Sequence, residues 1–99
     1  MLGDLYLKIG DTEKAFDKYQ ASLTISEELR LQAPNSVEYA RDLVLNYYKI
    51  LNFQKDLGNY QEQNKYSTLC KDALLYMKNK GMYLDEPLVS LLSYLQGDL

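Results

Sequence analysis

The sequence predicts an all-α chain of about five helices, arranged as antiparallel hairpins stacked side by side in one domain. Three observations predict it. Apolar residues recur at i, i+3, i+4 and i+7 through every long segment, the spacing that gathers them on one helix face. Glycines 10, 58, 81 and 97 and prolines 34 and 87 fall between those segments, where such residues end or open helices. The 99 residues include only 2 prolines and 5 glycines, with 46% hydrophobic and 25% charged side chains, so long helices around one core are expected and disorder is not.

In chain order, Leu2, Leu5, Tyr6 and Ile9 form the apolar stripe of a short first helix, with Asp4 and Lys8 pointing elsewhere. Gly10 can take the left-handed conformation that ends a helix, and Asp11 can accept from the free N–H groups that open the next. So short a link predicts antiparallel neighbours, with Gly3 admitting a close approach and Ala15 and Tyr19 facing back across the contact. The second helix runs from Thr12 to about Ala33, with an inward set of Ala15, Phe16, Tyr19, Leu23, Ser26 and Leu29 or Arg30, and Pro34 stops it. Residues 1–34 thus read as a first hairpin.

Residues 35–81 read as a second. Asn35 or Ser36 caps a helix over Val37 to Leu57, and Glu38, three residues after Asn35, stands where a capping-box partner belongs. Its main stripe is Ala40, Leu43, Val44, Tyr47, Ile50, Leu51 and Leu57; Leu45, Tyr48 and Asn52 begin another, the pattern of a helix covered on two sides. Gly58-Asn59-Tyr60 repeats the logic of Gly10-Asp11-Thr12, with Glu62 as a second possible box partner. The two glycines lie 58 − 10 = 48 residues apart, a candidate repeat length, although Lys65-Tyr66 matches Lys18-Tyr19 only at an offset of 47. The next helix, Tyr60 to Lys80, turns Tyr66, Leu69, Cys70, Ala73 and Met77 inward. Over residues 85–97, Asp85, Glu86 and Pro87 open a last helix with a stripe of Leu88, Leu91, Leu92 and Leu95. Ser90, Ser93 and Gln96 give it a polar outer face suited to capping a stack.

Composition narrows the chemistry. The chain has no histidine, which removes His-activated nucleophiles, histidine metal sites and the usual base near neutral pH. It has no glycine-rich phosphate loop and no Cys pair, and its adjacent acids Glu27-Glu28 and Asp85-Glu86 diverge on a helix. No enzymatic activity, cofactor or metal is expected. A net charge of −3 with scattered basic residues opposes binding to nucleic acid or to an anionic membrane surface. A single cysteine, an N-terminal run broken by Asp4 and Lys8 and no apolar stretch of spanning length predict a cytoplasmic chain. Cys70, inside a stripe, reads as a small core hydrophobe, and Tyr6, Tyr19, Tyr47 and Tyr66 take packing positions, whereas Tyr48 lies off the main stripe.

Leu2-Gly3-x-x-Tyr6 followed by Ala15-x-x-x-Tyr19 resembles the tetratricopeptide (TPR) repeat, in which Leu-Gly-x-x-Tyr leads to Ala-x-x-x-Phe and then Pro. The proline expected near Glu27 is Pro34 instead, so the likeness is to a long-repeat variant. It implies a short α-α superhelix whose first helix in each unit lines a concave groove for a peptide or partner helix. By position relative to the glycines, the groove residues it implies are Asp4, Leu7 and Lys8 from the first unit and Leu45, Tyr48, Asn52, Lys55 and Asp56 from the second. Asn52 and Lys55, one turn apart, can hold a carboxylate or a peptide backbone, or simply stand in solvent.

The function expected is a non-enzymatic interaction module. The alternative is a structural capping or oligomerisation unit of a longer repeat protein. About 20 residues precede Gly58 in its helix, whereas nine precede Gly10, which would leave Leu23, Ile25 and Leu29 partly uncovered and favour a homodimer through that hairpin.

Overall fold

The computed structural model describes the backbone of residues 2–97 and the side chains of residues 10–97. All regular structure among them is helical: α1 (Leu2–Gln32), α2 (Val37–Asp56), α3 (Tyr60–Asn79) and α4 (Glu86–Gln96). There are four helices where five were expected, because α1 continues through Gly10. In place of the first hairpin predicted over residues 1–34 there is one rod, Leu2–Gln32. The physical reason is local: a glycine inside a helix costs only about 1 kcal/mol against alanine, and Gly10 is flanked by residues that tolerate helix on both sides. Gly58 differs. Its φ of 73° is left-handed, its N–H donates to the Lys55 carbonyl at 3.0 Å, and the turn it makes is held by the buried α2–α3 contact.

The starts of α2, α3 and α4 follow the sequence closely, with one change. Ser36, not Asn35, caps α2, accepting from the Tyr39 N–H at 3.2 Å, so the Asn35–Glu38 box does not form. Asn59 caps α3, accepting from the Glu62 N–H at 3.4 Å, and Asp85 caps α4, accepting from the Leu88 N–H at 3.3 Å.

Each helix packs against its sequence neighbours, and contacts run in opposite senses along α1 and α2. Phe16 of α1 stacks on Phe53 of α2 with centroids 5.8 Å apart, while farther along α1 the Asn46 amide donates to the Ser26 hydroxyl. α1 and α3 run parallel. The Gln20 amide donates to the Tyr66 hydroxyl at 2.8 Å, and the Arg30 guanidinium lies 4.6 Å from the Tyr76 ring centroid, both joining α1 to α3 in the same direction. Thus α1 and α3 form one layer, and α2 and α4 the other.

The core lies between α2, α3 and α4, where Val44, Ile50, Cys70, Leu74, Met77 and Leu88 are fully buried. The expected stripes of α2 and α3 are inside, except Leu57, which at 52% exposed sits past the helix end in the turn. Leu74 is buried in addition, because α3 is covered by α2 on one side and α4 on the other. Leu23 is buried after all, while Ile25 is 57% exposed. The burial pattern also gives a repeat register: Leu23 and Ser26 of α1 correspond to Cys70 and Ala73 of α3 at the 47-residue offset.

α1 is long for its partner. At 1.5 Å per residue its 31 residues span ~46 Å, against ~30 Å for the 20 residues of α2. Because Phe16 and Tyr19 already meet Phe53 near the end of α2, the first three turns of α1 extend beyond the body.

Candidate functional site

A groove of about 480 Å³ lies between α2 and α4, floored by the start of α3. It forms because α2 and α4 occupy the same layer without touching along their lengths, each resting on α3. Leu51 and Leu88, both buried, make its apolar base, with Leu45 on the α2 wall and Pro87 and Leu91 on the α4 wall. Tyr48 on α2 and Tyr94 on α4, 38% and 53% exposed, border it from opposite sides. The polar lining is Asn52, Gln63, Ser67 and Ser90, and Lys55 is the one charged side chain among the lining residues.

One end of the groove is tied by Arg41 of α2, whose guanidinium pairs with the Asp85 carboxylate at the cap of α4. That hydrogen bond holds the Asp85 carboxyl below the usual carboxylate range, against an opposing effect of burial. From Leu45 to Lys55 the α2 wall runs ~15 Å, about three helical turns. Gln63 is half-buried, and its side-chain oxygen is shut off from solvent with no hydrogen-bond partner among the described residues. Gln54 of α2 has a second such oxygen outside the groove.

Four of the residues implied by the resemblance, Leu45, Tyr48, Asn52 and Lys55, lie together in this groove. Asp56, the last residue of α2, is exposed and is not part of its lining. Asp4, Leu7 and Lys8 lie outside the residues whose side chains are described; their backbone belongs to the projecting start of α1. The α3 floor and the whole α4 wall were missed by sequence reasoning, because α4 was treated as a cap. Its exposed Tyr94, off the leucine stripe, was the available signal.

A shallower hollow of about 330 Å³ lies between α1 and α2 around Ile25, Leu29 and Lys49, and Leu45 borders both. Beside it the Tyr47 hydroxyl donates to Glu27 at 2.9 Å; burial first, then that hydrogen bond, push its ionisation well above the usual tyrosine range. Cys70 is buried against the Val44 carbonyl, 3.7 Å from its sulfur, and burial pushes its thiol up to about 12. It is a core residue in a setting that suppresses thiolate.

Fold and site define a small all-α protein with an apolar, tyrosine-edged groove. Compared with family models, curated proteins and solved structures, the chain matches none. No helix among the described residues is long and apolar enough to cross a membrane.

Proposed function

We propose that the chain is a non-enzymatic interaction module that binds a peptide or partner helix of another protein in the α2–α4 groove. The observation that carries this reading is the groove itself: an apolar base bordered by two exposed tyrosines, with a few polar groups and one lysine at its edge. Recognition surfaces concentrate affinity in such aromatic anchors, since a tyrosine offers large rigid contact with little entropy to lose. Asn52 and Lys55, one turn apart on α2, suit a carboxylate or a peptide carbonyl at the groove's open end. The parallel placing of α1 with α3 and the 47-residue burial register support a TPR-like superhelical arrangement of the stack.

A second reading, a homodimer or a unit of a larger assembly, is favoured by one feature: the start of α1 extends beyond the helix that covers the rest of it. Substitution separates the two. Tyr48→Ala and Asn52→Ala each abolish partner capture from native extract, with melting temperature and light-scattering mass unchanged, if the groove is the working surface. Loss of assembly mass with the same variants, or capture that survives both, would overturn the groove reading.

A further inference from the structure

We infer that the α2–α4 groove also takes a small amphipathic ligand, a single-chain carboxylate, with its acid group at Lys55 and its hydrocarbon chain laid over Leu51 and Leu88. The ligand uses the groove already described but needs no protein partner. The division of the lining is the first observation. Toward the Arg41–Asp85 tie the walls are Leu45, Pro87 and Leu91, and the exposed Ser90 is the one polar residue among them. Toward the end of α2 stand Asn52 and Lys55, with Gln63 and Ser67 from the first turns of α3. The groove is therefore apolar at its tied end, and polar with one positive charge at its open end.

Charge selects an anion. Lys55 forms no ion pair among the described residues, none of the lining residues is acidic, and the exposed Asp56 beside it lies outside the lining. Asn52, one helical turn before Lys55, adds an amide donor, so a carboxylate can accept from both. Size and polarity then decide what the anion carries. Over the ~15 Å from Leu45 to Lys55, 480 Å³ gives a mean cross-section of about 32 Å², whereas the body of a helix ~10 Å across needs roughly 80 Å². A partner helix lays side chains over such a groove without entering it. A peptide strand inside it would bring an N–H and a C=O per residue into the apolar end, where Ser90 alone can answer them. A hydrocarbon chain brings none. At about 1.2 Å per bond of extended chain, the length of the groove takes about twelve carbons.

The test titrates dodecanoate, kept below its micelle concentration, into the full chain by calorimetry, alongside the eight-, ten- and fourteen-carbon acids and dodecanol. Affinity rises roughly fourfold per added methylene up to about twelve carbons, then levels off where the chain outruns the groove. Lys55→Gln weakens dodecanoate up to about fivefold and leaves dodecanol as it was, and added salt narrows that difference. Leu91→Trp, which narrows the groove, weakens acid and alcohol alike. The inference is overturned if dodecanoate does not bind, if Lys55→Gln affects acid and alcohol equally, if affinity keeps rising at fourteen carbons, or if Leu91→Trp binds both as the native chain does. Recruitment to phosphatidylcholine vesicles that survives in Lys55→Gln would assign the groove to membrane lipid and overturn it too. Protein capture that Tyr48→Ala abolishes can persist while dodecanoate fails to bind, so the two readings fall separately.

Discussion

Replacing Gly10 with alanine discriminates a continuous α1 from a hairpin by the sign of its effect. Within a helix, alanine is favoured over glycine by about 0.5–1 kcal/mol, because glycine has more backbone freedom to lose. Among the described residues, no heavy atom beyond the local helix backbone and the adjoining residues lies within 4 Å of where the new Cβ would sit, so their packing neither adds to nor subtracts from that gain. Amides around residues 8–14 then exchange with solvent about two- to fivefold more slowly, the factor that 0.5–1 kcal/mol implies at 25 °C. Helical ellipticity at 222 nm rises with it. Gly58→Ala provides the contrast: space is equally open there, but its φ of 73° is left-handed, and a Cβ in that conformation costs roughly 1–2 kcal/mol. For a domain of this size that lowers the melting temperature by about 4–8 °C per kcal/mol. Faster exchange around residue 10 in Gly10→Ala would refute the continuous helix and restore the hinge.

Other expectations follow from buried contacts. Tyr47→Phe removes the donor to Glu27 and lowers stability by about 1 kcal/mol in urea melts; a native midpoint would show that bond to contribute nothing. Cys70, with a folded value of about 12 against about 8.5 unfolded, contributes stability that is whole below about pH 8.5 and declines as pH rises toward the folded value. Urea melts between about pH 8.5 and 10 therefore show a falling slope, up to about 1.4 kcal/mol per pH unit, that Cys70→Ala lacks; equal slopes in both proteins would contradict it. Hydrogen exchange at residues 20–30 of α1 is faster than at residues 43–51 and 70–77, and uniform protection across these segments would count against α1 opening first.

Most helices were legible because their signals are local. Pro34, Asn59, Asp85 and Pro87 act within one turn, and the stripes of α2 and α3 are periodic enough to identify Val44, Ile50, Cys70 and Met77 as core. Gly10 was misjudged for the opposite reason. Glycine permits a break without requiring one, and what makes Gly58 a turn is the α2–α3 core beside it, which no window around the glycine contains. The groove was half legible: Leu45, Tyr48, Asn52 and Lys55 share a face of α2 by spacing alone. Gln63, Leu91 and Tyr94 join them only through the packing of α4 over α3, a tertiary fact. Leu74 is similar, since its burial needs a neighbour on the second side of α3.

The chain divides energetically between α1 and the body formed by α2, α3 and α4. α2, α3 and α4 meet through largely aliphatic side chains that exclude water, so the groove they form keeps its shape without an occupant, and little ordering cost would fall on the proposed binding. α1 meets that body differently. Apart from Leu23 and the Phe16, Tyr19 and Phe53 rings, it is seated by polar contacts: Gln20 with Tyr66, Ser26 with Asn46, Glu27 with Tyr47 and Arg30 on the Tyr76 ring. Such contacts exchange readily for water and set register more than they add stability. Since α1 supplies none of the groove's lining residues, its release would leave the groove intact while freeing a long helix and the faces of α2 and α3 beneath it. The proposed recognition in the groove and the proposed association through α1 thus involve separate parts of the molecule, which is why substitutions at Tyr48 can test the first without disturbing the second.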